Sequence, residues 1–219
     1  MNRILVLFAT LLFADAIAMP TAQTYLALGD SYTIGEGVAA QERWPVQLVS
    51  ALRTKGRVFS DPVVIAKTGW RTDDLQAAID KAQLKHGFDL VSLSIGVNNQ
   101  YQGKSLDQYA VEFEDLLRTA IALAKGVNGN VLVVSIPDYG YTPFGRHKQA
   151  EITQALDQFN AINAGITEKY GVMYFNITDI SRLGLAQADL LAADGLHPSG
   201  KMYALWVARM ASGLLERGK

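Results

Sequence analysis

Three residues of this sequence have the types and spacing needed for nucleophilic catalysis: Ser31, Asp194 and His197. Asp194 precedes His197 by three residues, and a turn of that length lets the carboxylate fold back onto the imidazole. A carboxylate on one ring nitrogen fixes the tautomer and leaves the other nitrogen as a base. Because the chain has no cysteine, a serine hydroxyl is the natural group for that base to activate. Structural alternatives stay open, since Asp-Gly is common in turns and Ser31 can cap a helix.

The other two histidines have simpler interpretations. His86 precedes a glycine at a predicted helix end, which is typical of a cap residue, and His147 lies between two basic residues, which favours a solvated position. One usable histidine and no cysteine argue against a zinc site formed by Asp194 and His197, so we predict neither a metal nor a cofactor. The loop 35–37 contains a glutamate and no lysine follows it, which argues against a phosphate cradle.

Candidate donors for an oxyanion follow three of the apolar runs. A serine that attacks an ester carbonyl produces a tetrahedral oxyanion, and that charge needs hydrogen-bond donors aimed at it. The backbone amides of Ser31 and Gly69 and the side-chain amide of Asn98 are available for this purpose. Each of the last two residues also has an ordinary interpretation, Gly69 as a turn glycine and Asn98 as a residue that stabilises its loop.

Positioning these residues requires a sheet whose strands end next to them. Five β-rich runs are nearly continuous in hydrophobicity, as in strands that are covered on both faces. They span Tyr25 to Leu28, Val63 to Ala66, Leu90 to Ile95, Val131 to Ile136 and Val172 to Ile177. Helical patterns separate these runs, so the sequence predicts an α/β fold with a parallel sheet. In such sheets ligands bind outside the carboxyl ends of the strands, where the candidate residues lie.

Five helices are predicted between and after the strands. Capping signals set several of their ends: Thr72 as an N-cap, a capping box at Ser105 to Gln108, and a basic residue with glycine at His86. The predicted helices run from Trp44 to Lys55, from Thr72 to His86, from Ser105 to about Gly126, from about Arg146 to before Gly171, and from Ser199 toward the C-terminus.

Composition and the N-terminus predict an exported single domain. Asn2 and Arg3 precede a short apolar run, Ile4 to Phe13, and the small-x-small sequence Ala16-Ile17-Ala18 follows it. Residues 1–18 are therefore interpreted as a signal peptide and residues 19–219 as one domain. The run is too short to span a bilayer, and no second long apolar run follows, so we predict a secreted or periplasmic protein without a stable membrane span. The net charge of −1 does not indicate a nucleic-acid partner, and the absence of cysteine excludes a lipid-modified N-terminal cysteine.

Four sequence blocks together resemble the SGNH, or GDSL, hydrolase family. The blocks are Gly-Asp-Ser at Ser31, Gly69, Gly-x-Asn at Asn98, and Asp194-x-x-His197, in family order over essentially the whole predicted domain. The resemblance implies a three-layer α/β/α flavodoxin-like fold with a five-stranded parallel sheet in the order 2-1-3-4-5. It also implies that Ser31 is the nucleophile, that His197 is the base and then the acid, and that Asp194 orients His197. The amides of Ser31 and Gly69 and the Asn98 side chain would form the oxyanion hole.

Two positions depart from the family pattern. Tyr32 stands where the family motif has leucine, and Asn99 stands where the family often has aspartate. The change at Tyr32 leaves the nucleophile untouched, while Asn99 replaces a carboxylate that is expected to brace its loop. Asp30, next to Ser31, is interpreted as a brace of the catalytic turn.

The resemblance implies a serine esterase or lipase that needs no cofactor and acts on a small-molecule or lipid ester. The substrate stays open among simple acyl esters, lysophospholipids, thioesters and acetylated sugars, and a non-catalytic module that binds glycan or lipid is a further alternative. The aromatic residues Tyr139, Tyr141 and Phe144 are candidates for the substrate pocket, with Tyr101 and Trp70 as similar candidates. The same residues also suit an ordinary packed surface loop. We expect activity to fall in acid, because a protonated His197 cannot act as a base.

Overall fold

The computed structural model describes residues 21–85 and 87–216. Five parallel strands form one sheet in the order β2-β1-β3-β4-β5, with β1 (Tyr25–Gly29) and β3 (Leu90–Ser94) adjacent near the centre. The others are β2 (Val63–Ala66), β4 (Val131–Val134) and β5 (Met173–Phe175). This order confirms the predicted α/β fold. The predicted signal peptide, residues 1–18, lies outside the described residues, as does His86.

Helices of very different length connect the strands. The long ones are α2 (Trp44–Thr54), α3 (Thr72–Ala82), α5 (Leu106–Leu123), α6 (Gln149–Lys169) and α8 (Gly200–Glu216). Three short ones, α1 (Ser31–Ile34), α4 (Val97–Tyr101) and α7 (Thr178–Ser181), directly follow the ends of strands or lie close to them. Short 3₁₀ turns occupy Ala40–Glu42, Asn128–Asn130, Tyr139–Tyr141, Arg146–Lys148 and Ala188–Leu190.

The sheet is the middle layer of three. Helix α2 packs against α8 on one side, and α5 packs against α3 and α6 on the other. One face of α2 is buried, with Trp44, Leu48 and Leu52 at most 1% exposed. Since these faces cover the sheet on both sides, the strands are apolar throughout and their chemistry is confined to their ends. Over the described ranges, no helix combines the length and the apolar character required to cross a membrane.

Several predicted helix ends are wrong by a few residues. Helix α3 stops at Ala82 because Gln83 adopts the left-handed conformation with φ 45°, so the helix ends before the predicted cap at His86. Helix α5 likewise stops at Leu123, two residues before Lys125 with φ 62°, and not at Gly126. In α3 a non-glycine residue takes the left-handed position, which the search for a glycine cap does not find. After α5 both Lys125 and the predicted Gly126 are left-handed, the glycine with φ 71°.

The capping predictions are partly correct. The Ser105 hydroxyl accepts the backbone N–H of Gln108 at 3.2 Å, as predicted. The reciprocal half of the box is wrong, because the Gln108 side chain donates to the Glu112 carboxylate at 2.6 Å. A hydrogen bond to a charged acceptor is the stronger of the two alternatives. Thr72 is the first helical residue of α3, and the N-cap is Arg71.

Candidate active site

Ser31 lies where the central strand β1 turns into α1. The carboxylate of Asp30 accepts the backbone N–H of Tyr32 at 3.0 Å and so caps this short helix. Ser31 is the first helical residue, and its own N–H makes no hydrogen bond within the described residues. The turn is tight, because a Cβ on Gly29 would lie 2.1 Å from the Thr33 hydroxyl oxygen. The backbone therefore presents the Ser31 amide and side chain together at the carboxyl end of the sheet.

Asp194 and His197 form a closed turn before α8. Asp194 Oδ2 lies 2.7 Å from His197 Nδ1, while Oδ1 accepts the backbone N–H groups of Leu196 at 2.9 Å and His197 at 3.0 Å. Burial raises the pKa of Asp194, but these hydrogen bonds from His197 and Leu196 outweigh it and hold the pKa below its usual value. The carboxylate therefore stays charged and occupies Nδ1, which leaves Nε2 as the basic nitrogen.

Four of the five predicted catalytic and oxyanion-hole residues line one cavity, and Asp194 is not among its lining residues. Ser31, Gly69, Asn98 and His197 surround a space of about 210 Å³ at the carboxyl end of the sheet. Ser31 and His197 are 5% and 7% exposed, so bulk water has little access to either side chain. Within the described residues the Ser31 hydroxyl makes no hydrogen bond. In sites without substrate, the hydrogen bond between a nucleophile and its base is often long and shortens only when substrate binds.

The two other candidate oxyanion donors come from neighbouring loops. Gly69 has φ 82°, a conformation that a side chain would strain, and its carbonyl accepts a weak hydrogen bond from Gln102 at 3.4 Å. Asn98 lies in α4, and its Nδ2 donates to the carbonyl of Trp70 at 2.9 Å. A side-chain amide nitrogen carries two hydrogens, so one remains for a ligand. Asn98 thus holds the Gly69 loop while keeping a donor available.

Only some of the aromatic pocket candidates line the cavity. Tyr139 and Phe144 line the cavity together with Tyr101, and the three ring centroids are 6.1 to 6.2 Å apart. Tyr101 and Phe144 are 59% and 54% exposed, so they form the mouth of the cavity. Tyr141 is not among the lining residues, and its ring lies 6.0 Å from the guanidinium of Arg182.

A buried acidic residue fixes the segment that carries Tyr139. Asp138 Oδ1 accepts the backbone N–H of Gly140 at 2.9 Å, and Oδ2 accepts from Thr153 at 2.7 Å and from Arg182 at 3.0 Å. Asp138 is almost fully buried. Because a buried charge is tolerated only with such partners, this network specifies one conformation of the segment.

Four lining residues were not singled out for the pocket by their sequence. They are Tyr32, Thr68, Val97 and Leu196. Each directly neighbours a predicted site residue in the chain, so adjacency was the available signal. Thr68 donates its hydroxyl hydrogen to Glu36, which ties the loop after α1 to the Gly69 loop.

The cavity carries little charge. Among the described residues, no aspartate, glutamate, lysine or arginine lines it. Asp30 lies beneath Ser31, and burial raises its pKa to about 7. The hydrogen bond from the Tyr32 amide lowers the pKa but does not cancel the effect of burial. In the part of the chain that the structure describes, no group of three or more histidine, cysteine or acidic residues is arranged to hold a metal ion.

Similar solved structures share the fold. TesA superimposes with a TM-score of 0.69 at 18% identity, over 88% of this chain and 98% of that chain. Axe2, an acetyl xylan esterase from Geobacillus stearothermophilus, gives 0.68 at 19% identity, over 88% and 94%. The lipase/acylhydrolase from Enterococcus faecalis gives 0.66 at 22% identity, over 89% and 96%. At these identities the likeness establishes the fold alone.

Sequence comparison is more specific. No curated protein matches the chain significantly. The family model of the GDSL-like lipase/acylhydrolase family, in contrast, matches residues 27–205, from within β1 into α8. This range contains the Ser31 turn, the Gly69 and Asn98 loops and the Asp194–His197 turn. The chain therefore belongs to the GDSL-like lipase/acylhydrolase family.

Proposed function

We propose that this protein is a serine esterase that hydrolyses neutral carboxylic esters through Ser31, His197 and Asp194. The observation that carries the proposal is the contact of 2.7 Å between Asp194 Oδ2 and His197 Nδ1 at the cavity that Ser31 also lines. Family membership supports acyl-ester hydrolysis as the reaction class.

The proposed reaction has two steps, the acylation of Ser31 and the hydrolysis of the acyl-enzyme. His197 Nε2 removes the Ser31 proton while Ser31 Oγ attacks the ester carbonyl, and the resulting oxyanion is held by the Ser31 and Gly69 amides and Asn98. The C–O bond to the alcohol breaks, and the alcohol leaves with the proton from His197. Water then attacks the acyl-enzyme, again with His197 as base, and releases the acid and Ser31.

The composition of the cavity supports a neutral substrate. Among the described residues no lysine or arginine lines it, so a phosphate of a lysophospholipid or of a coenzyme thioester would meet no cation from this part of the chain. The cavity of about 210 Å³ has room for a short acyl group, and Tyr101 and Phe144 extend its apolar surface outward. We therefore favour short acyl esters with a neutral alcohol.

A carbohydrate O-deacetylase is the second candidate, and one feature favours it. The exposed rings of Tyr101 and Phe144 stand at the mouth of the cavity, where a sugar ring can stack against an aromatic surface. The cavity has room for an acetyl group. The esterase and the deacetylase would therefore use the same acyl site and differ only in the alcohol part of the substrate.

Purified protein assayed on p-nitrophenyl acetate, butyrate and octanoate, beside acetylated xylan, tests the proposal. We expect activity highest on the acetate, and its loss in Ser31→Ala. Ser60→Ala, which removes an exposed serine hydroxyl that bonds Gln23, is the matched control and should retain activity. Equal inertness of the wild type and Ser31→Ala, with a glycan or lipid still bound, would favour a non-catalytic binding module. Preference for acetylated xylan would favour the deacetylase.

We also propose that the protein is exported, because residues 1–18 have the sequence of a signal peptide. Expression of the full chain in a bacterial host, followed by mass spectrometry of the mature protein from the periplasm or medium, tests this. Removal of a segment near residue 18 supports export. An intact N-terminus retained in the cytoplasm contradicts it.

A further inference from the structure

Tyr32 packs directly on the proposed catalytic base. Its ring centroid lies 5.3 Å from that of His197, with the two planes tilted by 58°. The side chain is 4% exposed and lines the same cavity as Ser31. Among the described residues, Tyr32 supplies the aromatic ring that contacts His197. The residue after the nucleophile therefore touches the base that activates the nucleophile.

The Tyr32 ring is itself held in place from two directions. Its backbone N–H is bound by the Asp30 carboxylate at 3.0 Å, which fixes the start of α1. Behind the ring lies Trp206 of α8, with centroids 6.4 Å apart, and Trp206 in turn packs edge-on against Tyr203 at 5.1 Å. Because Tyr32 and Trp206 are both buried, the ring cannot move away from His197 without disturbing the α8 layer.

The charge that forms on His197 during the reaction gives this contact a chemical consequence. When Nε2 takes the Ser31 proton, the imidazole becomes a cation. A cation over the face of an aromatic ring, within about 6 Å of its centroid, is stabilised by the negative potential of that face. The 5.3 Å between the Tyr32 and His197 centroids lies within this distance. Asp194 stabilises the same cation from Nδ1. In the part of the chain that the structure describes, no lysine or arginine lines the cavity to oppose either effect.

We propose that Tyr32 is a positioning residue for His197, whose ring holds the imidazole toward Ser31 and stabilises the imidazolium that forms during proton transfer. The proposal rests on the function proposed above. It assigns a role to the one position of the Gly-Asp-Ser block that departs from the family motif. The leucine of that motif fills similar space but has no π face to offer a cation.

The ring, and not the hydroxyl, carries the proposed role. Burial raises the pKa of the Tyr32 phenol well above its usual value, and the nearby Asp30 adds to the effect. The phenol therefore stays neutral in acidic and neutral solution. Its hydroxyl makes no hydrogen bond within the described residues. Phenylalanine should thus replace tyrosine without loss of this function.

The other titratable groups around Tyr32 and His197 are the same in the wild type and in the Tyr32 variants. They are Asp194 on the His197 turn, Asp30 beneath α1, and Asp138 and Tyr139 after β4, which all act on the Tyr32 phenol. An acid limb that is displaced in Tyr32→Leu but not in Tyr32→Phe therefore reports the loss of the ring beside His197.

The test compares kcat, KM and the acid limb of kcat/KM for p-nitrophenyl acetate in the wild type, Tyr32→Leu and Tyr32→Phe. We expect Tyr32→Leu to lower kcat by about 3- to 30-fold, the range that a cation–π contact supplies. Its acid limb should move to lower pH, because the protonated imidazole loses a stabilising contact. KM should change little, and Tyr32→Phe should match the wild type in all three measurements.

A matched control separates this role from simple packing. Tyr203→Leu removes a buried ring from the same aromatic layer without touching His197, so it should lower the melting temperature but leave the acid limb in place. An unchanged acid limb and kcat in Tyr32→Leu, or the same loss in Tyr32→Phe as in Tyr32→Leu, overturns the proposal. Failure of the esterase proposal looks different, because the wild type would then be no more active than Ser31→Ala.

Discussion

Asn99 and Thr72 bind each other in both directions. Asn99 Oδ1 accepts the backbone N–H of Thr72 at 3.1 Å, and Asn99 Nδ2 donates to the Thr72 hydroxyl oxygen at 2.6 Å. Thr72 follows Gly69 by three residues, and Asn99 follows Asn98. The pair therefore clamps the start of α3, just after the Gly69 loop, to α4, which carries Asn98. Asparagine serves here as the brace in place of the expected aspartate.

The first prediction concerns Asn99→Asp. The Thr72 hydroxyl has one proton and donates it to the Glu112 carboxylate. A second carboxylate at position 99 would compete for that proton and leave one acceptor unpaired, so we expect a loss of about 1 to 3 kcal/mol in the free energy of unfolding near neutral pH. Urea unfolding measures this, and Asn99→Asp combined with Glu112→Gln should recover most of the loss. Equal stability of wild type and Asn99→Asp near neutral pH would contradict the clamp.

The second prediction concerns Asp194→Asn. The amide would no longer hold His197 in the tautomer that exposes Nε2 as a base, so kcat/KM should fall by about 10²- to 10⁴-fold. Kinetics with p-nitrophenyl acetate measures this effect. Asp189→Asn is the matched control, because Asp189 forms an exposed ion pair with Lys201 and should tolerate the change. Comparable activity in the two variants would exclude Asp194 from the triad.

The third prediction separates the donor role of Asn98 from its structural one. Asn98→Ala removes a proposed oxyanion donor, so kcat should fall by about 10²- to 10³-fold with little change in KM. Gln102→Ala removes another side-chain hydrogen bond to the same loop, the one to the Gly69 carbonyl at 3.4 Å, without removing a cavity donor. That control should retain nearly full kcat. Similar losses in both variants would mean that Asn98 acts by holding the loop.

The fourth prediction concerns stability and pH at Asp30. Burial raises its pKa from 3.8 to about 7, so between these values the folded protein holds the proton more tightly than the unfolded chain. The Asp30 contribution to stability is therefore full below about pH 4 and is lost as the pH rises through about 7. Asparagine caps helices as well as aspartate and carries no charge. Asp30→Asn should thus gain stability relative to wild type as the pH rises, by on the order of 1 to 4 kcal/mol.

Urea unfolding across this pH range checks the Asp30 prediction. Asp61→Asn is the control, because the Asp61 side chain is 86% exposed and pairs with Arg53 at the surface. The difference in the free energy of unfolding between Asp61→Asn and wild type should not grow between mildly acidic and neutral pH. A difference between Asp30→Asn and wild type that stays constant with pH would show that Asp30 is ionised throughout.

The fifth prediction concerns the mouth of the cavity. Phe144 lines the cavity and is 54% exposed, whereas Tyr141 lies outside it beside Arg182. Phe144→Ala should raise KM for p-nitrophenyl octanoate by about 3- to 10-fold, since it removes apolar contact with a longer chain, and should change the acetate kinetics less. Tyr141→Ala should leave KM for both esters unchanged. The reverse pattern would place the acyl chain on the other side of the segment.

The sequence determined the local and periodic features of this protein. Buried strands require continuous apolar runs, so the five strands and the α/β class were readable from hydrophobicity alone. The Asp194-x-x-His197 contact is also local, because a turn of three residues allows the carboxylate to reach the imidazole, and the structure shows that it does. The strand order followed from the family resemblance, which carries information that one chain's periodicity lacks.

Only the tertiary structure decided which distant side chains meet. Asn99 reaches Thr72 across 27 positions of the chain, and Tyr32 reaches His197 across the sheet end. Tyr141 and Phe144 are three residues apart, yet one faces Arg182 and the other the cavity. Such contacts depend on how separately formed helices and loops pack against one another, and no pattern within a single segment encodes that packing.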